Sequence, residues 1–84
     1  MAAPTQQAAQ ASHVIELASP AYIRLRYVRR VGRNGAMTVT VHCAKARRFD
    51  PTAAAKALRT LQPTIEAAGW TPSVVPAAAL ELRQ

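Results

Sequence analysis

The chain has 84 residues, a length that corresponds to one small domain and limits the size of its core. Eleven lysine and arginine residues stand against four acidic ones, and the net charge of +7 predicts attraction to nucleic acid or to acidic proteins. A single cysteine excludes an internal disulfide, and no apolar stretch approaches the roughly 18 residues of a membrane span. Since no signal peptide is recognisable, a cytoplasmic location is expected. Because the core of so short a chain is small, a homodimer is the alternative to a monomer.

Residues 1–12 are rich in alanine and glutamine and contain no large apolar residue after Met1. A segment of this composition cannot bury a hydrophobic face. We therefore expect a disordered tail, with a weak helix over residues 6–11 as the alternative. Residues 13–84 are predicted to form a single α+β domain.

Alternation of apolar and polar residues predicts two strands before a hairpin turn. The first covers His13–Ala18 and places Ile15 and Leu17 on one face. Ser19–Pro20 ends it, because proline lacks the N–H that a strand donates. The second strand covers Ala21–Val31. On the face predicted to meet the core, it carries Ile23, Leu25, Tyr27 and Val31.

A third strand is predicted over Met37–Cys43, after a three-residue loop at Arg33–Gly35 whose last glycine is left-handed. This loop pairs Gly32 with Ala36 and keeps both apolar faces on one side of the hairpin. The alternative is a two-residue Asn-Gly turn corrected by a bulge near Arg29–Arg30. In the preferred register the facing pairs are Val31 with Met37, Tyr27 with Val41, and Leu25 with Cys43.

A helix is predicted to begin after Asp50 as its N-cap, with Pro51 in the first helical position and Phe49 stapled onto the first turns. Pro63 lies in mid-helix, where it costs about 3 kcal/mol, so a kink there or a stop at Leu61 is expected. Glycine at position 69 is predicted to form the C-terminal cap.

Beyond the helix, Trp70 is expected to fill the core between helix and sheet, with an exposed interface anchor as the alternative. Two prolines make Pro72–Pro76 an edge strand or a linker, and alternation around Leu80 and Leu82 predicts a final strand. The predicted fold is α+β: a small antiparallel sheet of three to four strands with a basic β-hairpin, one face covered by a single helix, in the order β-β-β-α-β.

Residues Ala21–Arg48, here called the basic segment, hold eight of the eleven cations and no carboxylate. Strand alternation predicts that the cations of the hairpin share one exposed face with Tyr22 and two threonines. The residues predicted to bind an anionic partner are Arg24, Arg26, Arg30, Arg33, His42, Lys45, Arg47 and Arg48.

Arginine suits phosphate because its planar guanidinium donates two parallel hydrogen bonds, and nucleic acid is therefore the predicted partner. Contacts to the phosphate backbone with little sequence specificity are expected. Tyr22 is the one aromatic residue predicted on the basic face, which argues against a platform for stacking single-stranded bases. The alternatives are an acidic protein partner, as for a phage or regulatory accessory factor, and an edge strand charged to prevent aggregation.

Catalysis is not predicted. His42 and Cys43 are adjacent in a predicted strand, so their side chains would point to opposite faces and could not act as a base and nucleophile pair. Cys43 is expected as a small buried residue. The four acidic residues are scattered, and no metal site or cofactor motif is present in the sequence. A small nuclease that uses His42 or His13 is the one enzymatic alternative.

Overall fold

The computed structural model describes residues 12–81. The expected disordered tail and the alternative helix over residues 6–11 lie outside this range, apart from Ser12, whose carbonyl accepts a 2.9 Å hydrogen bond from the Ala77 N–H. The elements in chain order are β1 (His13–Ser19), β2 (Tyr22–Val31), β3 (Met37–Thr40), α1 (Pro51–Ala67), β4 (Thr71–Pro76) and α2 (Ala77–Glu81). Short 3-10 turns at Arg33–Gly35 and Cys43–Lys45 flank β3.

The described residues form a four-stranded antiparallel sheet in the order β3-β2-β1-β4, and α1 packs on one face of it. This arrangement confirms the predicted α+β class and the order β-β-β-α-β. The core beneath α1 excludes water from seven buried side chains of the sheet, the helix and the segment before it. They are Ile15, Leu17, Val28, Phe49, Ala54, Leu61 and Ile65.

The opposite face of the sheet carries a second, smaller cluster. Its buried members are Val14, Tyr27, Ala46, Ala77 and Leu80. The faces of β1 are as predicted, because Ile15 lies in the α1 core while Val14 lies in this second cluster. Part of the second face is therefore covered by the segment that follows β3 and by α2.

The final strand lies earlier in the chain than the alternation around Leu80 predicted. Thr71–Pro76 forms β4, an edge strand that pairs with β1 from His13↔Pro76 to Ala18↔Thr71, so the edge-strand interpretation of this proline-flanked segment is confirmed. Leu80 instead belongs to the helix α2, and the predicted strand there is wrong within the described residues; Leu82 lies outside them. Alanine-rich sequence favours a helical turn, and the helix turns Leu80 into the second cluster.

The amino-terminal end of α1 is built as the sequence predicted. The Asp50 carboxylate accepts a 2.7 Å hydrogen bond from the Ala53 N–H, Pro51 occupies the first helical turn, and Phe49 is buried in the core beside Ala54. The cap satisfies one of the backbone donors that a helix start leaves unpaired.

The carboxyl-terminal end of α1 closes with a Schellman motif. Gly69 adopts a φ of 80° and donates a 3.0 Å hydrogen bond to the Glu66 carbonyl, while the Trp70 N–H donates one of 3.0 Å to the Ile65 carbonyl. The predicted glycine cap is confirmed, and it aims the chain from the helix directly into β4.

The helix continues through Pro63 and does not stop at Leu61. Leu61 and Ile65 lie on either side of the proline, and both are fully buried. Burial of each such side chain contributes about 1.5–3 kcal/mol. The two together offset the cost of roughly 3 kcal/mol for proline inside a helix, so a continuous helix is favoured.

The hairpin loop has the predicted three-residue form. The Gly32 N–H donates a 2.7 Å hydrogen bond to the Ala36 carbonyl, and Val31 pairs with Met37. Gly35 has a φ of 79°, and its carbonyl accepts a 2.7 Å hydrogen bond from the Thr64 hydroxyl. The loop therefore docks on the carboxyl-terminal half of α1.

Replacing the mid-helix proline tests the balance between helix strain and core burial. We expect Pro63→Ala to raise the free energy of unfolding by up to about 3 kcal/mol, because the restored N–H can bond to the Arg59 carbonyl one turn earlier. Urea denaturation followed by circular dichroism measures the change. Gln62→Ala, at a neighbouring exposed site, is the control and should shift stability by less than about 0.5 kcal/mol. A less stable Pro63→Ala variant would contradict this account.

Two glycine variants separate backbone strain from close packing. Gly69→Ala is expected to lower the free energy of unfolding by about 1–2 kcal/mol, because the φ of Gly69 is positive. Packing adds nothing to this loss, since a new Cβ there would meet no atom within 4 Å. In Gly35→Ala the new Cβ would lie 3.0 Å from the Thr64 hydroxyl and 3.3 Å from the Thr60 carbonyl. We therefore expect a further loss of about 1 kcal/mol as the loop leaves α1. Equal losses in urea denaturation would show that the loop does not press on the helix.

Candidate nucleic-acid interface

An extra residue in β2 divides the cations of the basic segment between two faces of the sheet. Val28 pairs with Val39 and Val31 with Met37, so the register shifts by one residue at Arg29. Both valines therefore contact the core beneath α1, although they stand three positions apart. The bulge at Arg29 and the three-residue loop occur together, although the sequence pattern predicts them as alternatives.

The predicted single basic face is wrong for this reason. Before the bulge, Arg26 pairs with the core residue Leu17 and lies on the α1 side of β2 with Val28. After the bulge, Arg30 pairs with Thr38 on the opposite side. The bulge also overturns the predicted pairing further down the hairpin. Tyr27 faces Thr40 rather than Val41, and it lies in the second cluster rather than under α1.

The third strand is shorter than predicted, and this changes the position of the cations that follow it. It ends at Thr40, whose hydroxyl accepts a 3.1 Å hydrogen bond from the His42 N–H. His42 and Lys45 are exposed in the segment that crosses the second face. Because Cys43 lies in a 3-10 turn outside the strand, the predicted alternation with His42 does not apply; Cys43 is half-buried against the second cluster.

The crossing segment returns to the α1 side before the helix begins. Arg47 donates its backbone N–H to the Val28 carbonyl at 2.9 Å, and its guanidinium lies 5.3 Å from the centre of the Phe49 ring. Arg47 and Lys56 line a groove of about 290 Å³ between the hairpin and α1. Arg48, the next residue, is exposed.

Lys56 was not among the predicted site residues, because it lies on α1 outside the basic segment. The available signal was helical spacing. Lys56 lies three or four positions from Ala53 and Thr60, which line the same groove.

Most of the predicted site residues are exposed, although they lie on different sides of the sheet. Arg26 is half-buried, and the other seven are exposed. Their places in the structure are β2 for Arg24, Arg26 and Arg30, the hairpin loop for Arg33, and the segment between β3 and α1 for His42, Lys45, Arg47 and Arg48. The cations of the basic segment thus lie on both sides of the hairpin instead of on one flat face.

An aromatic stack lies beside the first cations of β2. The Tyr22 and Trp70 rings are 5.4 Å apart between centroids and inclined by 19°, and the Arg26 guanidinium carbon is 4.8 Å from the centre of the Tyr22 ring. A side-chain nitrogen of Arg26 also donates a 2.9 Å hydrogen bond to the Arg24 carbonyl. The predicted core position of Trp70 is only half of its role, because it packs on the α1 core and stacks on Tyr22.

The second face of β2 has an open cleft, because β3 ends before it reaches the first half of its partner. The cleft holds about 510 Å³. Its walls are formed by Ile23, Arg24, Leu25, Tyr27, Val41, His42, Cys43 and Ala44. Ile23 is fully exposed at its rim, where the predicted alternation had placed it in the core.

Within residues 12–81, no group of three or more histidine, cysteine or acidic side chains is placed to hold a metal ion. In the same part of the chain, no helix is long and apolar enough to cross a bilayer. No protein-family profile, curated protein or solved structure matches this chain.

Proposed function

We propose that this protein is a non-enzymatic, cytoplasmic binding protein that attaches to nucleic-acid phosphates through the basic segment, with little sequence specificity. One observation carries the proposal: eight cations follow one another along 28 residues without a carboxylate between them, and all but Arg26 are exposed. Charges of one sign on a small domain focus the field that attracts a polyanion. Exposed guanidinium groups suit phosphate oxygens in particular.

The contacts of the Arg26 and Arg47 side chains support this function. Arg26 and Arg47 lie against aromatic rings. A guanidinium on an aromatic face keeps its charge and its outward N–H donors. These side chains are therefore held in place while their charge stays available to an anion.

The expected salt dependence follows from the number of phosphates engaged. With about five contacts, the logarithm of the binding constant should fall with the logarithm of salt with a slope near −4.5 for duplex DNA and near −3.5 for single strands. Light scattering of the free protein and of the complex tests the homodimer, which stays a prediction.

Charge variants on and off the basic segment test the proposal. We expect Arg24→Gln and Arg30→Gln each to weaken binding to DNA and RNA and to lower the salt slope by about one, because each removes one phosphate contact. Fluorescence anisotropy at several salt concentrations measures both quantities. The matched control is Arg59→Gln, an exposed arginine on α1 that removes the same charge outside the basic segment.

The control also defines the result that would overturn the proposal. If all three variants weaken binding equally, net charge alone is responsible and no binding surface exists. If the unaltered protein has no salt-dependent affinity for any nucleic acid, the same arginines are better assigned to an acidic protein partner.

A further inference from the structure

The Tyr22 side chain is exposed although neighbouring side chains hold it in place. About half of its surface, 53%, is open to solvent, and it belongs to neither core cluster. Yet Trp70 stacks against it and the Arg26 guanidinium lies over it. The phenol ring is thus held by neighbours instead of moving freely, which lowers the entropy lost when a ligand stacks on the guanidinium above it.

The stack is anchored to the fold at both ends. Trp70 is packed on the core beneath α1, and Arg26 is tied to the Arg24 carbonyl. Beside the ring lies an open depression of about 530 Å³ that holds the charge of Arg24; it is lined by Ala21, Tyr22, Ile23, Arg24 and Arg26. The Arg26 guanidinium, which lies over the Tyr22 ring and lines this depression, is therefore open to a planar ligand next to the exposed charge of Arg24.

We propose that an unpaired base of single-stranded nucleic acid stacks on the Arg26 guanidinium, which Tyr22 and Trp70 support from behind, with Arg24 holding an adjacent phosphate. This inference rests on the proposed function. Both aromatic rings and arginine planes accept bases, and stacking tolerates every base because each has a π-face. The site therefore favours single strands over duplex without reading sequence.

The division of the cations between two faces supports the same partner. A duplex is stiff over about 150 base pairs and meets a small domain on one side. A single strand bends at each nucleotide and can follow the cations from Arg24 around the hairpin to Arg30. A second copy of this chain is a poor occupant, since both copies carry a charge of +7.

Trp70 is the single tryptophan of the chain, so its fluorescence reports on the stack directly. The full-length protein is titrated with four probes: an oligo-dT of about 12 nucleotides, an abasic strand of the same length, the matching duplex, and poly-glutamate of equal charge. We expect oligo-dT to quench Trp70 and to bind tightest. Loss of one stacked base corresponds to about 5- to 150-fold in affinity, which is the expected gap between oligo-dT and the abasic strand.

Three variants assign the effect to the stack. Tyr22→Ala is expected to lower the affinity for oligo-dT by that same factor while leaving the abasic strand unchanged. Tyr22→Phe keeps the ring beneath the Arg26 guanidinium and should bind within about twofold of the unaltered protein, since this support needs the ring and not the hydroxyl. Val74→Ala, which removes an exposed apolar side chain on β4 that does not line the depression, should have no effect. Circular dichroism verifies that each variant folds.

The outcomes separate this inference from the proposed function. Equal affinity for oligo-dT and the abasic strand, or tighter binding of the duplex, overturns the stacking site and leaves phosphate binding in place. Equal affinity for oligo-dT and poly-glutamate also overturns it, because charge alone then explains binding. Absence of salt-dependent binding to every nucleic acid overturns both.

Discussion

The core beneath α1 requires two valines of β2 that stand three positions apart, and a regular strand cannot present both. Val28 and Val31 reach the same side because Arg29 is inserted as an unpaired residue between their partners Val39 and Met37. The inserted side chain is exposed, so the bulge buries no charge. Most of the molecule's other features follow from this one local change of alternation.

The path of the chain after the hairpin depends on the same place. The Val28 carbonyl, next to the bulge, accepts the Arg47 N–H, and Phe49 then pairs with His13 at the start of β1 through hydrogen bonds of 2.7 and 2.8 Å. These bonds return the chain from the second face to the α1 side. Phe49 enters the core, and the next residue, Asp50, caps the helix. The bulge, the crossing segment and the helix start are therefore one connected construction.

The candidate interface has the same origin. Without the bulge, Arg26 and Arg30 would share one side of β2; with it, Arg26 lies on the side of α1 and Arg30 on the other. The side shared with α1 is also where the Schellman motif delivers Trp70. The stack of Trp70, Tyr22 and Arg26 thus joins a helix end to a strand that is distant in sequence. A basic surface with an aromatic centre suits a flexible anionic chain better than a flat basic face would.

Features whose causes lie within a few residues can be predicted from the amino-acid sequence alone. The cap at Asp50, the glycine end at Gly69, the three-residue loop and the two faces of β1 all follow from local hydrogen bonding and alternation. The identity of the cations and the absence of acids among them are likewise properties of the sequence. The α+β class follows from the order of these local signals.

Features that depend on contacts between distant residues are set by the packing of the whole fold. This packing placed the bulge, because only the fit of Val28 and Val31 against α1 selects the residue that stays unpaired. It carried α1 through Pro63, because burial on both sides outweighs a local penalty. It also brought Trp70 to Tyr22, since the pairing of β4 with β1 joins segments some fifty residues apart, and no local pattern encodes that contact.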